Sequence, residues 1–211
     1  MTAFTRSFDL PLHRRVAVLG AVAVNSLLLA ACGSDDSSDS SASAPETAAT
    51  SAAGAFNDGD ATFAQSMIVH HQQALEMSQL ADDRASDQEI KTLAGQIEKA
   101  QDPEIKTMQS WLKSWGKPQS PGMDHGNSGH SGGDTAGMMS DQDMVALMAA
   151  KGTDFDRKFA QMMIDHHNGA IDMAKDEQKN GRNATAKKLA DDVIKNQSTE
   201  VKQMQTILDR L

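Results

Sequence analysis

The sequence from position 162 to position 173 reads MMIDHHNGAIDM, and a similar segment from 66 to 77 reads SMIVHHQQALEM. The two segments lie 96 residues apart, and the similarity continues without a gap on both sides. Phe63 matches Phe159 before the segments, and Glu104 matches Glu200 after them. Similarity at a fixed offset indicates one structural unit used twice. Each unit carries a His-His pair flanked by methionines, so function is sought there first.

Apolar residues recur in the first repeat at helical spacing and form one stripe, namely Phe63, Met67, Ala74 and Met77 together with His70. No segment alternates with a two-residue period, so we predict an all-α protein. Two helical hairpins, in repeats 57–116 and 153–211, are expected to form a four-helix bundle. A loop over 117–140 and a short helix near 141–150 connect them. A pseudo-two-fold axis would bring the two His-His helices together.

Helix ends are predicted from capping residues. The predicted N-terminal caps are Asn57, Asp58 or Asp60 for the first helix, Ser86 with Glu89 for the second, Ser140 with Asp143 for the short helix, and Thr153 with Asp156 for the third long helix. Gly181 is expected to end that third helix in the left-handed conformation. Pro103 is expected to kink the second helix, because proline lacks a backbone donor.

The N-terminus has the pattern of an export signal. Arg14 and Arg15 precede an apolar run over 16–30, and Cys32 follows Ala30-Ala31, which resembles a bacterial lipobox. We therefore predict a lipoprotein signal peptide at 1–31 and lipidation of Cys32. The alternative is a single membrane-anchoring helix, but the run is shorter than the roughly 20 apolar residues of a span.

The segment that follows the predicted cleavage site is rich in Ser, Ala and Asp. We predict a flexible linker over 32–55 and a folded domain over 56–211. The protein is then expected outside the cytoplasm, held by its lipid at the outer face of the bacterial cell membrane. No protein partner can be named from the sequence.

The amino-acid composition argues against two classes of function, nucleic-acid binding and thiol chemistry. The formal net charge of −9 disfavours nucleic-acid binding, which requires clustered Lys and Arg. There are 13 methionines, seven histidines and a single cysteine. If Cys32 is lipidated, no thiol remains for a disulfide or a nucleophile.

The residues of the two repeats favour copper. Thioether sulfur is a soft ligand that selects Cu(I) over hard cations, and structural zinc sites use Cys, His and carboxylate instead. Met67 lies three residues before His70, and Met163 three before His166, so each pair shares a helix face. Adjacent histidines diverge around a helix, so only one of each pair can face the bundle axis. The predicted metal ligands are His70, His71, Met67, Met77, His166, His167, Met163 and Met173.

A di-iron carboxylate bundle is the competing metal site. Such sites need a Glu three residues before the histidine, where this chain has Met67 and Met163. The iron pattern is therefore absent. Glu104 and Glu200, on the second helix of each repeat, could orient an imidazole, but we take them as surface charges in preference.

Other interpretations stay open. Methionines at helical spacing are also ordinary core residues, and we assign Met108 and Met204 to packing. The bundle could instead bind a protein partner, with its histidines hydrogen-bonded in the core. A metal-dependent oxidoreductase ranks third, and we expect no enzyme, since no nucleophile–base pair or cofactor motif is evident. The loop offers a second, weaker metal site or a solvated linker; its residues are Met123, His125, His130, Met138 and Met139.

The doubled Met-Ile-x-His-His-x-x-Ala-Ile/Leu-x-Met pattern resembles the bacterial domain-of-unknown-function 305 family. The stretch from Gly137 to Met139 before Asp141, and Phe155-Asp156 before the second motif, resemble it too. The resemblance covers about residues 56–211 and implies a ferritin-like helical bundle. It also implies a link to copper binding and copper resistance, since some members have one.

Overall fold

The computed structural model describes residues 54–120 and 136–211. The predicted signal peptide, Cys32 and nearly all of the linker lie outside the described residues. So do Met123, His125 and His130 of the connecting loop. Predictions for these positions remain predictions.

The described residues are helical throughout their regular structure and contain no strand. The helices are α1 (Asp58–Gln79), α2 (Ala81–Arg84), α3 (Gln88–Ser114), α4 (Asp141–Ala149), α5 (Thr153–Asn180) and α6 (Ala184–Arg210). The four long helices form the predicted bundle of two hairpins, and α4 is the predicted short helix. Among these described helices, none combines the length and apolar character needed to cross a membrane.

The two hairpins pack through their first helices. Helix α1 packs on α3, α5 packs on α6, and α1 packs on α5. One apolar cluster contains the start of α5 with Phe159 and the end of α1 with Met77. The other contains the start of α1 with Phe63 and the end of α5 with Ala174. Helices α1 and α5 therefore run antiparallel, and their midpoints lie where the two clusters meet.

Two of the predicted caps are confirmed. Asn57 caps α1 in a capping box with Asp60, and Ser140 caps α4 in a box with Asp143. Helix α3 continues through Pro103 as far as Ser114. The local sequence was sufficient to predict the caps at Asn57 and Ser140, because each cap uses residues of its own first turn.

Two other predicted caps are wrong. Asp87, not Ser86, caps α3, and Gly152, not Thr153, precedes α5 without a side-chain cap. The carboxylate of Asp156 instead accepts hydrogen bonds from the backbone N–H groups of Ser86 and Asp87, at 3.1 and 3.0 Å. It also accepts one from the Ser86 hydroxyl at 2.5 Å. Asp156 therefore joins α5 to the start of α3 in the other repeat.

Asp60 makes the same connection in the opposite direction. Its carboxylate accepts hydrogen bonds from the backbone N–H groups of Arg182 and Asn183, at 3.0 and 2.7 Å. Asp60 and Asp156 are equivalent in the repeat, as are the peptides that they bind. The duplication thus produces a reciprocal pair of buried hydrogen-bonded links between the hairpins.

Gly181 ends α5 as predicted, but for a different reason. Its φ of −69° is not left-handed, so no backbone freedom is required. A Cβ atom at this position would collide with the Glu177 carboxyl group. Space, not conformation, requires glycine here.

Glu177 is a buried acid beside Asp60. It is 3% exposed, and its carboxyl oxygens receive no hydrogen bond. The pKa of Glu177 is raised from the ordinary 4.5 to about 8, first by burial and then by hydrogen bonding with Asp60 and repulsion from its charge. A neutral Glu177 can donate a hydrogen bond to the Asp60 carboxylate. Burial acts to raise the pKa of Asp60, but the hydrogen bonds that it accepts from Asn183 and other groups lower it overall.

We expect the Asp156→Ala variant to be less stable by about 2–4 kcal/mol in the free energy of unfolding, because it removes the three hydrogen bonds that a fully buried carboxylate accepts from Ser86 and Asp87. Chemical denaturation followed by circular dichroism measures this. Asp154→Ala, at an exposed position on the same helix, is the matched control and should change stability by less than about 0.5 kcal/mol. Equal stability of the two variants would show that the link between hairpins is unimportant.

Glu177 should make stability depend on pH. The folded protein keeps this proton up to about pH 8, while the unfolded chain releases it near pH 4.5. The folded state then binds more protons in this window, so stability is lost as the pH rises through it. Glu177→Gln should remove that loss and gain about 1–3 kcal/mol over the wild type at pH 8 and little at pH 4.5. Glu76→Gln, an exposed carboxyl, should show no such difference between the two pH values.

Candidate metal-binding site

The four paired histidines lie at the middle of the bundle. His70, His71, His166 and His167 are all fully buried, with 0% of their surface exposed. Their helices place them between the two apolar clusters, after Met67 on α1 and after Met163 on α5. The antiparallel packing of α1 on α5 thus brings both motifs to one level of the bundle.

One histidine of each pair faces the bundle axis. The rings of His70 and His166 meet with centroids 3.7 Å apart and planes inclined at 38°. His70 Nε2 lies 3.2 Å from the carbonyl oxygen of Ala136. Neither ring nitrogen of His166 has a hydrogen-bond partner. The predicted divergence of adjacent histidines is confirmed, and the inward members are the first of each pair.

The second histidine of each pair faces the neighbouring helix of its own hairpin. His71 Nε2 lies 2.7 Å from a carboxylate oxygen of Glu104 on α3. His167 Nε2 lies 2.7 Å from a carboxylate oxygen of Glu200 on α6. Our preference for Glu104 and Glu200 as surface charges is therefore wrong: their side chains are 18% and 17% exposed and hold imidazoles. Spacing within one helix could not show this contact between helices.

These partners determine which imidazole nitrogen carries the proton. A carbonyl or carboxylate oxygen accepts hydrogen bonds, so the Nε2 atoms of His70, His71 and His167 must be the donors. In a neutral ring the lone pair then resides on Nδ1. The Nδ1 atoms of all three rings are buried and have no hydrogen-bond partner. A histidine that binds a metal ion uses one ring nitrogen as the ligand and donates a hydrogen bond from the other to a carboxylate or carbonyl oxygen. These three rings have that arrangement, with Nδ1 as the free nitrogen.

The inward imidazoles are neutral. Burial lowers the pKa of His70 to about 3, and repulsion from His71 is the next cause. Burial also lowers the pKa of His166 well below its usual range, with His70 and His167 adding repulsion. Neutral imidazole is the form that binds metal ions, so the burial of these rings favours ligation.

The structure separates the predicted methionine ligands into two groups. Met67 and Met163 are fully buried one turn before the inward histidines. Met77 and Met173 lie two turns beyond them, each packed with the apolar cluster at that end of its helix. Met108 and Met204 are buried in the clusters, in keeping with packing roles.

Of the loop residues, Met138 and Met139 are described and half-buried. Met139 packs against the cluster that contains Met163. Three residues that the sequence did not single out contact the same region, namely Gln73, Ala136 and Gly169. The available signal was a break in the repeat, since Gln73 in the first copy corresponds to Gly169 in the second.

Within residues 54–120 and 136–211, no group of three or more His, Cys, Asp and Glu side chains is arranged to hold a metal ion. Methionine sulfur is a further type of ligand beside these four. Two facing imidazoles flanked by buried thioethers can offer a mixed nitrogen and sulfur environment of low ligand number. The buried nitrogens without partners fit a bound ion, since buried polar atoms are normally satisfied.

The chain belongs to the family described as domain of unknown function DUF305, whose model matches residues 60–208. Among solved structures, it is similar to the "putative secreted protein DUF305" from Streptomyces coelicolor, with 32% identity and a TM-score of 0.65. The match covers 72% of this chain and 93% of that one. A DUF305 fragment from Deinococcus radiodurans has 25% identity and a TM-score of 0.64, over 74% of this chain and 98% of that one.

A third similar structure is CopM in its Cu(I)-bound form, with 34% identity and a TM-score of 0.59 over 72% of this chain and 96% of CopM. CopM has also been solved in Cu(II)-bound and Ag-bound forms. A comparison with curated proteins found no match. The comparisons confirm the family and the helical fold, and they support copper handling at the level of the family.

Proposed function

We propose that this protein is an extracytoplasmic, membrane-tethered copper-binding protein that sequesters or transfers Cu(I) through its paired His and Met residues. The observation that carries the proposal is the contact between the His70 and His166 rings, neutral and buried at the junction of the two repeats. The proposed ligands are the four paired histidines with Met67 and Met163, and the proposal extends to Met77 and Met173.

The imidazoles support the proposal through their protonation. A cation entering this site displaces no proton from His70, because that ring is neutral above about pH 3. Glu104 and Glu200 would stabilise the positive charge that a bound ion brings to His71 and His167. The proposed site would thus have imidazole nitrogens as ligands and half-buried carboxylates behind two of them.

The thioethers support the choice of metal. Methionine sulfur is soft and favours Cu(I) among biological ions. Methionine also persists outside the cytoplasm, where free thiols are prone to disulfide formation. Silver is likewise a soft monovalent cation, and CopM has been solved with silver as well as copper.

The position in the cell is part of the proposal. The charged start, apolar run and Cys32 of the sequence support export and lipid anchoring. The description "putative secreted protein" of the Streptomyces coelicolor relative agrees with export. Separately from the location, we propose a second and weaker metal site, which would use Met138 and Met139 with Met123, His125 and His130.

The rival function is a partner-binding bundle in which the histidines are only structural, and the His71–Glu104 bond is the observation that favours it. Metal analysis of protein purified from copper-fed cells separates the two. A stoichiometric copper content supports our proposal, and protein free of metal supports the rival.

The double variant His70→Gln/His166→Gln should bind Cu(I) more weakly than wild type by at least about 100-fold. Loss of a residue that only hydrogen-bonds to a metal ligand already lowers metal affinity by about 10–100-fold, and loss of the ligands themselves should cost at least as much. Competition with a colorimetric Cu(I) chelator under anaerobic conditions measures the affinity. Circular dichroism checks that the variant is folded. Binding as tight as wild type in a folded variant would overturn the site assignment.

The methionines allow a matched test. Met67→Leu/Met163→Leu should weaken Cu(I) binding by about tenfold or more. Met108→Leu/Met204→Leu changes the equivalent pair on α3 and α6 and should leave affinity unchanged. Both changes conserve volume, so each should cost little stability. Equal affinities in the two double variants would remove sulfur from the proposed site.

A further inference from the structure

The segment Ala136–Ser140, here called the strap, crosses α5 directly at the second motif. The backbone of Ala136 contacts Gly169, and Gly137 lies against the backbone carbonyls of Asp165 and His166. The strap leads into α4, which begins at Asp141. Its first residue supplies the carbonyl oxygen that lies 3.2 Å from His70 Nε2.

Two glycines make this crossing possible. Gly137 has a φ of +80°, and a Cβ atom there would lie 2.6 Å from the Asp165 carbonyl oxygen. A Cβ atom at Gly169 would collide with the Ala136 carbonyl group. A glycine inside a helix costs about 1 kcal/mol relative to alanine. The close approach of the strap accounts for its presence at position 169.

Gln73 holds the other end of the strap. Its side-chain amide donates a hydrogen bond to the Met139 carbonyl oxygen at 2.9 Å. Its side-chain oxygen accepts one from the Met139 N–H at 2.7 Å. One side chain thus satisfies both backbone groups of a single strap residue, three residues from the carbonyl that holds His70.

Gln73 and Gly169 occupy equivalent positions in the two repeats. The residues that the structure describes contain two copies of the motif and one strap, so the strap breaks the two-fold relationship. On α1 the position carries a side chain that binds the strap, and on α5 it carries none, so that the strap can approach. Consequently the Nε2 atom of His70 has a hydrogen-bond partner in the strap, whereas neither ring nitrogen of His166 has a hydrogen-bond partner.

We propose that the strap positions His70 for metal binding, with the Ala136 carbonyl holding the Nε2–H tautomer and Gln73 acting as the positioning residue that fixes the strap. This inference rests on the proposed function. With Nε2 occupied as a donor, the lone pair of Nδ1 is the one presented to an ion. Glu104 and Glu200 do the same for the outer histidines, so a backbone carbonyl takes the role of a carboxylate at the inner one.

The test uses the full chain and two variants that loosen the strap from opposite sides. Gln73→Ala removes both hydrogen bonds to Met139, and Gly169→Ala pushes the Ala136 carbonyl away. In the metal-free protein, long-range nitrogen–proton NMR correlations report the tautomer of His70. Wild type should show the Nε2–H form, and both variants should show an increased Nδ1–H fraction. Cu(I) affinity should fall by about 10-fold in each, as for other outer partners of a ligand.

Matched controls exist for both variants. Gln72→Ala removes an exposed glutamine next to Gln73 on α1. Gly95→Ala adds a methyl group to a helical glycine that has open space around it. Both controls should keep the wild-type tautomer and affinity.

The outcomes separate the strap from the function. An unchanged His70 tautomer in both Gln73→Ala and Gly169→Ala overturns the role of the strap, whatever copper does. If the tautomer of His70 changes in the variants but their Cu(I) affinity does not, the strap orients His70 without affecting metal binding, and that part of the proposal is overturned. A wild-type protein that binds no Cu(I) overturns the proposed function, and the tautomer of the metal-free variants still decides whether the strap orients His70.

Discussion

The antiparallel packing of α1 on α5 is the constraint on which the rest of this structure depends. It places two copies of one motif at the same level, so that the rings of His70 and His166 meet at 3.7 Å. Four fully buried imidazoles at one level are costly unless their polar atoms find partners. Glu104, Glu200 and the Ala136 carbonyl supply partners for one side of three rings. The other side, with its buried nitrogens that have no hydrogen-bond partner, is where we propose that the metal ion binds.

The duplication also explains how the bundle is held together at its ends. Asp60 and Asp156 each bind two backbone N–H groups at the start of the opposite repeat's second helix. Positions at which the two repeats differ are also informative. Glu177 has an alanine as its counterpart, and Gln73 has a glycine, and each difference marks a feature that occurs once within residues 54–120 and 136–211.

Much of the site could be predicted from single helices. Residues three or four apart on a helix share a face, so the pairing of Met67 with His70 follows from spacing alone. The caps at Asn57 and Ser140 are equally local. The caps predicted at Ser86 and Thr153 are wrong because Asp156 binds the backbone at the start of α3, far away along the chain. A short motif cannot show that Asp156 bonds to a helix 70 residues earlier.

The sequence by itself determined the helical class, the duplication, the family and the soft-ligand character of the paired motifs. Periodicity, composition and self-similarity depend only on the order of residues, so they are readable without coordinates. Only the tertiary structure decided that the first histidine of each pair faces its partner, and that Glu104 and Glu200 hold the second. Only it showed the strap crossing at Gly169. The physical reason is that ring tautomers, burial and close backbone approach arise between helices, where distances are set by packing and not by spacing along the chain.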